Sequence, residues 1–385
     1  MPQRCDLAFP RTLLTTAVLA AVSATGHAAC SDPAGPGVDW FECDLTGIEL
    51  QGKDLSGANL AMTNLENSNL SHTKLNGAIL TSSRLNGSKM QEAQLDNADL
   101  RWAELEGADL SAASLQQANL SEAKLHRAQL AGADLSGSNL VQADLRSVNF
   151  KWAKLENSNL SAANLTDANL FGANLSRSNL GNSNLQGTNL TQAIIQQSNL
   201  AWANLNWANL SSSNISDSNL AHVTLHQTVI KWTNLSRSNL SDAKFSQSSL
   251  TAVSFSDSFL TRADLSNTIL RWVDFSNADL SHADLSDADM AAEHVIKKTS
   301  FKGAILKQAR LDRSDLSGAD LRNADLSGAS LVQVKLQDAD LSGARWSDGS
   351  PCLKPSKGQC IKDQKALEAM LEQQQQDDNV VDLIR

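Results

Sequence analysis

The sequence has no tyrosine, and aromatic side chains make up only 4% of its 385 residues. Aromatic rings normally supply much of the buried area of a globular core, so a conventional core of this length is not expected. Twenty glycines and six prolines are too few for a collagen-like chain. Because 41% of the residues are hydrophobic and the formal net charge is only −10, the composition does not favour disorder either.

Long hydrophobic runs and an excess of positive charge are also missing. No stretch of eighteen apolar residues occurs, so we expect no transmembrane segment. Acidic residues outnumber basic ones by 42 to 32, which argues against a basic surface that binds nucleic acid. The sequence contains no glycine-rich phosphate loop and no Cys/His metal-ligand spacing. It therefore predicts no cofactor, no metal and no catalytic residues.

Residues 1–29 have the layout of a secretory signal peptide. A short apolar run follows two arginines and leads into small residues that end at Ala28 and Ala29. We predict cleavage after one of these two alanines and a periplasmic or secreted protein. Cys30 adjoins the cleavage site and raises the alternative of a lipoprotein. This alternative is less favoured because His27 stands where a lipobox has leucine.

An apolar residue recurs at every fifth position from Leu45 to Met290. Of these 50 positions, 41 are leucine. From Ala58 onward, the residue two positions earlier is Ala, Ser, Thr or Val, and the residue directly before the apolar one is usually Asn or Asp. Ala108-Asp109-Leu110 shows the typical unit.

A period of five suits neither an α-helix nor a flat strand. Five residues advance an α-helix by about 500°, so successive leucines would cover every side of it. On a flat strand, five residues reverse the face each time. The pattern works only if the chain bends once per unit. Within each short extended piece, the small residue and the leucine then share the inward face.

These units resemble those of the pentapeptide-repeat family. The resemblance implies an all-β fold, a right-handed quadrilateral β-helix with four pentapeptides per coil, and covers residues 45 to about 346. Because neighbouring strands lie about 4.8 Å apart, we expect about 15 coils and a rod on the order of 70 Å long. Phe255 and Phe275, twenty residues apart, should stack in one column of the tube.

The resemblance and the pattern together divide the chain. The predicted segments are the signal peptide at 1–29, an N-terminal cap at 30–44, the repeat β-helix at 45–346, and a C-terminal disulfide cap and tail at 347–385. The phase slips once, at 291–300, because Phe301 follows Met290 by eleven positions instead of ten. We interpret this slip as one inserted residue in a bulge or small loop. The tail is expected to contain a short helix and to offer a weak homodimer contact.

Four cysteines remain after the signal peptide, and they allow three pairings. The implied rod holds Cys43 and Cys352 about 70 Å apart, whereas a disulfide needs Cα atoms within about 7 Å. The expected pairs are therefore Cys30 with Cys43 and Cys352 with Cys360, each closing one end of the solenoid. A metal site is the alternative, although the spacing fits no zinc motif. Both ends look like those of a group of exported members of the family.

Six tryptophans occupy the second position after an inward residue and are predicted to point outward. They are Trp102, Trp152, Trp202, Trp207, Trp232 and Trp272. Trp152, Trp232 and Trp272 differ by multiples of twenty and should share one face. Each follows a cation, and these cations are Lys151, Lys231 and Arg271. This basic-aromatic stripe is a candidate binding site for a glycan or a protein. Alternatively, each ring lies flat on its neighbours and shields the backbone.

The sequence favours an exported, non-enzymatic rod that binds an unknown protein or glycan, because a solenoid of this kind offers no cleft for catalysis. The best-known activity of the family, binding of DNA gyrase by an acidic rod that mimics DNA, is an alternative. It would require a cytoplasmic protein, and a cleaved signal peptide would separate the chain from topoisomerases.

Overall fold

The computed structural model describes residues 30–291, 298–365 and 368. The predicted signal peptide lies outside the described residues. Within them, parallel bridges join residues twenty apart, beginning with Asp39 to Asn59 and Asp44 to Asn64. Along the face that begins at Asp39, fifteen consecutive bridges reach Arg345. With one bridge every five residues and partners twenty apart, the chain forms the expected four-sided β-helix.

Regular strands occur on one face of the rod, on three consecutive coils. They are β1 (Val229–Lys231), β2 (Ser249–Thr251) and β3 (Ile269–Arg271). They pair in parallel in the order β1-β2-β3, and Ile230, Leu250 and Leu270 are aligned. Elsewhere among the described residues the pairing consists of isolated bridges, because a corner interrupts the extended chain every five residues.

The core consists of the two inward positions of each unit. Ala58 and Leu60 are both fully buried, as are their equivalents along most of the tube. At many positions where the small residue is Ser or Thr, its hydroxyl donates to a backbone carbonyl, whereas the hydroxyls of Ser88 and Ser138 have no hydrogen-bond partner among the described residues. The Ser68 hydroxyl donates to the Leu65 carbonyl at 2.7 Å, and the Thr63 hydroxyl donates to the Trp40 carbonyl at 2.7 Å. These buried hydroxyls are therefore compatible with the core.

The frequent Asn or Asp before the leucine stabilises both the turn and the stack. The Asn159 side-chain oxygen accepts the backbone N–H of Ser161 at 3.1 Å. The same oxygen accepts the Asn179 side-chain amide from the next coil at 3.1 Å. The amide ladder continues through Asn199 and Asn219. One residue type thus closes the corner and joins neighbouring coils.

Each corner places one residue in the left-handed region of backbone space. The Ala113 N–H donates to the Leu110 carbonyl at 3.0 Å and closes a turn in which Ala112 has φ 56°. Among the described residues, 45 that are not glycine have a positive φ at this corner position. The strain costs on the order of 1–2 kcal/mol per residue, and the hydrogen bonds of the stacked coils impose it.

Replacing Ala112 with glycine is expected to raise local stability by about 0.5–1 kcal/mol, because glycine adopts a positive φ without a steric penalty. The matched control is the neighbouring Ala113, which is buried and has no positive φ. Ala113→Gly removes a buried methyl group and should cost about 1–2 kcal/mol. Hydrogen exchange of amides in this coil measures both effects. The same sign for both variants would contradict the role of the corner.

The phase slip is larger than predicted. Asp274 pairs with Ser300, so the partners lie 26 residues apart instead of twenty, and this coil contains six extra residues. The prediction of one inserted residue is wrong because insertions of one and six residues leave a five-residue pattern in the same phase. As a result, Phe301 stacks on Phe275 with ring centroids 4.9 Å apart. Residues 292–297 lie outside the described part of the chain.

The two ends of the rod are closed differently. At the N-terminal end, Cys30 and Cys43 are paired with Cα atoms 5.5 Å apart, and Trp40 is buried in the first coil. At the C-terminal end, Cys352 and Cys360 are paired with Cα atoms 5.0 Å apart. Both pairs are those expected from the sequence.

A short hairpin-like cap covers part of the last coil. Lys357 and Pro351 form antiparallel bridges with Asp340 and Arg345. Beyond the cap, Gln364, Lys365 and Glu368 are helical, at the position where a helical tail is expected. The rest of the tail lies outside the described residues.

Candidate interaction surface

The described residues contain few features that indicate chemistry. Within residues 30–291 and 298–365, no helix has the length and apolar character needed to cross a bilayer. In the same part of the chain, no three His, Cys, Asp or Glu side chains are grouped so that they could hold a metal ion. The outward side chains, above all the tryptophans, are the remaining candidates for an interaction surface.

The predicted stripe is exposed at two of its three tryptophans. Trp152 is 54% exposed and Trp232 is 64% exposed, whereas Trp272 is partly buried. All three occupy the same corner of the rod. The preceding cations Lys231 and Arg271 are aligned through Thr251 of the intervening strand.

Trp152 lies across the neighbouring coil instead of projecting freely. Its ring packs edge-on against Phe171, with centroids 5.1 Å apart. A Cβ atom on Gly172 would come within 2.2 Å of this ring, so only glycine leaves room for it. The Lys151 ammonium sits 5.6 Å from the Phe171 ring centroid. The contacts of Trp152 therefore fit the alternative interpretation given above, in which the ring lies on its neighbours and shields the backbone.

The third member of the stripe differs from the prediction. The Arg271 guanidinium binds the Asp289 carboxylate, with Nη1 2.6 Å from Oδ1, and holds the pKa of Asp289 below its ordinary value. The six-residue insertion enters the same corner one coil beyond Trp272. Three equivalent exposed pairs are therefore not present. The stripe is reduced to Trp152 and Trp232 with Lys151 and Lys231.

A second grouping of tryptophans was not predicted. Trp202, Trp207 and Trp232 lie on three successive corners within one and a half coils, and we call them the tryptophan band. Their exposed fractions are 61%, 52% and 64%. The sequence contained a signal for this band: Trp207 follows Trp202 by 5 residues, and Trp232 follows Trp207 by 25. With twenty residues per coil, each of these spacings moves the side chain to the next corner. A search for tryptophans that differ by multiples of twenty finds columns along the rod and therefore misses a band around it.

Two members of the band are held by their neighbours. The Trp202 ring stacks on His222 with centroids 3.9 Å apart and planes inclined by 12°. The Trp207 indole N–H donates to the side-chain oxygen of Gln227. For Trp232 no ring stacking is recorded among the described residues, and its ring is the most exposed of the three. The band thus combines two oriented rings with one open ring.

Two faces of the rod lie between these corners. Between Trp202 and Trp207, the Asn204 amide donates to Asn184 at 3.0 Å, and Thr224 donates to Asn204 at 3.1 Å. This face is lined by polar groups. The next face, between Trp207 and Trp232, carries Val229, which is exposed and apolar.

Charged corner residues near the band pair with each other between coils. Arg262 binds the Asp242 carboxylate, with Nε 2.8 Å from Oδ1, and lowers the pKa of Asp242. Arg237 binds Asp217 at 2.7 Å in the same way and lowers its pKa. These pairs are exposed and each contributes little to stability. Their charges are largely satisfied within the rod, so the band is the more distinctive part of this surface.

The comparisons with known proteins agree with this architecture. The family model described as pentapeptide repeats matches successive segments between residues 41 and 332. Among solved structures, HetL, a pentapeptide repeat protein from the cyanobacterium Nostoc sp. strain PCC 7120, is 27% identical. That match covers 79% of this chain and 92% of HetL, with a TM-score of 0.17.

Two further structures have lower sequence identity to this chain. QnrB1, a plasmid-mediated fluoroquinolone resistance protein, is 15% identical over 54% of this chain and 91% of its own, with a TM-score of 0.31. A pentapeptide repeat protein of the Arabidopsis thaliana thylakoid lumen is 23% identical over 27% of this chain and 65% of its own, with a TM-score of 0.20. Among curated proteins, none matches this chain. From the repeat model, which matches well over half of the sequence, we conclude that the chain belongs to the pentapeptide-repeat family.

Proposed function

We propose that the chain is an exported, non-enzymatic rod that binds a partner protein through the tryptophan band. The observation that carries this proposal is the exposure of three large rings at corners with φ between 52° and 64°. A bulky residue at a positive φ is strained, and its exposed ring adds apolar surface. Contacts with neighbouring coils orient two of the rings, yet all three stay more than half exposed, and exposed tryptophans are frequent anchors of protein interfaces.

The shape of the rod supports a role in binding. An open groove of about 400 Å³ lies among Ser281, His282, Lys307 and Gln308. The Lys307 ammonium forms an ion pair with Asp325 at 3.5 Å. The groove is too open to enclose a small molecule. A rigid surface that presents side chains at fixed spacing suits recognition of an extended partner.

Export is supported by the cysteine pairs and by the layout of residues 1–29. Paired cysteines at both ends are typical of proteins that fold in an oxidising compartment. Fractionation of a tagged full-length chain tests this part of the proposal. Cleavage and recovery outside the cytoplasm are expected. An uncleaved cytoplasmic product would favour the gyrase-binding alternative.

The role of the band is tested by replacing Trp202, Trp207 and Trp232 together with asparagine, which tolerates the corner conformation. We expect at least a tenfold loss of partner recovery from periplasmic or secreted fractions, because the exposed anchors are removed. The matched control replaces Trp102 and Trp152, which are exposed corner tryptophans outside the band. Equal recovery by the wild type and the triple variant would contradict the proposal, as would an equal loss in the control.

A glycan is the second candidate partner, favoured by the amide-lined face between Trp202 and Trp207. Aromatic rings and side-chain amides together match the apolar faces and hydroxyl groups of sugars. The same variants should be compared for binding to insoluble cell-wall glycan. The glycan preparation is first treated with protease to remove attached proteins. If the chain still binds to it, and the triple variant does not, the sugar is the ligand.

A further inference from the structure

The C-terminal end of the rod is only half covered. The antiparallel cap lies on the two faces that end at Asp340 and Arg345. The other two faces end at Ser330 and Lys335, and no described residue bridges to either of them from beyond. The last coil therefore has an open edge along residues 329–336.

The backbone of this open edge lacks partners that it has everywhere else along the tube. One coil earlier, Leu311 donates its N–H to the Ser330 carbonyl at 2.9 Å, and Leu316 donates to the Lys335 carbonyl at 2.9 Å. The equivalent N–H groups of Leu331 and Leu336 have no acceptor among the described residues. The carbonyls of Ala329 and Val334 likewise accept no hydrogen bond there.

The side chains at the open edge are also incompletely buried. Leu331, Val334 and Leu336 point inward yet are partly exposed, whereas Leu311 and Leu316 of the preceding coil are fully buried. Unpaired N–H groups beside exposed apolar side chains form an edge that readily pairs with another strand. An additional extended segment would pair with the N–H groups and cover the apolar side chains.

The shape of the end determines which segment fits. A second rod stacked end to end would need all four faces at the next level, and residues 350–357 of the cap already occupy two of them. A single extended strand remains possible. To continue the tube it should present a small or β-branched residue, then Asp or Asn, then a leucine, because these types most often fill the same positions along the rod.

The chain itself contains one such segment beyond the described residues. Val381-Asp382-Leu383 repeats the pattern of Val273-Asp274-Phe275 and Ala319-Asp320-Leu321, although it is separated from the repeat region. Twelve residues connect it to Glu368, which is the last described residue. An extended chain of that length reaches about 40 Å, more than the width of the rod.

We propose that residues 380–384 bind in cis to the open edge as an added parallel strand. By the pattern of the preceding coils, Leu331 would donate to the Asp382 carbonyl, and Asp382 would donate to the Ala329 carbonyl. The Leu383 side chain would then fill the open end of the tube beside Leu331 and Leu336. The edge is thus a docking site for an extended peptide of the form small–Asp/Asn–Leu, and the tail is its occupant. This assigns the tail an intramolecular role in place of the homodimer contact expected from the sequence.

Hydrogen exchange of the amides of Leu331, Gln333 and Leu336 tests the proposal in the full chain. We expect exchange at least tenfold slower in the full chain than in a variant that ends at Gln376. Leu383→Asp should abolish the protection because a carboxylate cannot enter the tube end. Leu371→Asp is the matched control, since Leu371 is an apolar tail residue outside the triplet, and this variant should keep the protection.

Adding a synthetic peptide of residues 377–385 to the shortened variant should restore protection, which separates docking from a general loss of structure. Equal exchange in the full and shortened chains would overturn the proposal. Protection that appears only at high protein concentration, together with a dimer in sedimentation, would overturn docking in cis and assign the segment to a second copy.

Discussion

Phe275→Ala is expected to lower the local free energy of unfolding by about 3–5 kcal/mol, the cost of removing a fully buried phenylalanine. The Phe275 ring is stacked between Phe255, at 5.1 Å, and Phe301, at 4.9 Å between centroids. It is fully buried on the axis of the tube. Alanine would leave a cavity between two rings that the backbone hydrogen bonds hold apart, so the site cannot collapse to fill it.

Chemical denaturation, together with hydrogen exchange of residues 250–305, measures this effect. Phe259→Ala is the matched control, because Phe259 lies on the coil between Phe255 and Phe275 but points outward and is 56% exposed. It should change stability by no more than about 0.5 kcal/mol. Phe275→Leu, which restores the usual residue of the column, should recover most of the loss. A Phe275→Ala variant as stable as the Phe259→Ala variant would contradict the importance of the stack.

The second large effect is expected at the C-terminal cap. Replacing Cys352 and Cys360 with serine should destabilise the cap by about 2–3 kcal/mol, because the disulfide closes a loop with a sequence separation of 8 and limits the unfolded chain. The cap is small, and backbone hydrogen bonds join it to the last coil beside the disulfide. The Leu341 N–H donates to the Ser356 carbonyl at 2.8 Å, and Ile361 is buried against it.

Limited proteolysis between residues 347 and 362 provides the measurement, and the variant should be cut at least tenfold faster than the oxidised wild type. Reductant should accelerate cleavage of the wild type and leave the variant unchanged, which controls for a general effect of reduction on the rod. Equal resistance of both proteins with and without reductant would show that the disulfide does not hold the cap.

The sequence predicts much of the fold because two positions of every five determine it. A leucine and a small residue recur with a constant period, so the inward side chains follow from the pattern. The four-sided cross-section and the column of Phe255 and Phe275 follow from the resemblance to the pentapeptide-repeat family, which implies twenty residues per coil. The cysteine pairs follow from the length of the rod that the resemblance implies. The same periodicity could not give the size of the insertion after Met290, because whole units can be added without changing the phase.

The candidate site was harder to predict because the outward positions carry no repeating constraint. The sequence correctly places Trp152 and Trp232 outside, but it does not show that Trp272 is only partly exposed or that Arg271 is paired with Asp289. Recognising the tryptophan band requires that each tryptophan be assigned to one of the four corners of the rod. The open edge at Leu331 and Leu336 depends on how far the cap extends, which no pattern in the repeat specifies.

The direction of the backbone hydrogen bonds has a mechanical consequence. They run along the axis between coils, so tension applied at the two ends loads them in series and detaches one coil at a time. Each coil of twenty residues releases up to about 65 Å of extended chain in place of the roughly 5 Å that it occupies in the stack. The cystine at each end determines where this peeling begins. A rod fixed at both ends would therefore lengthen in steps under load and absorb work before its attachments fail.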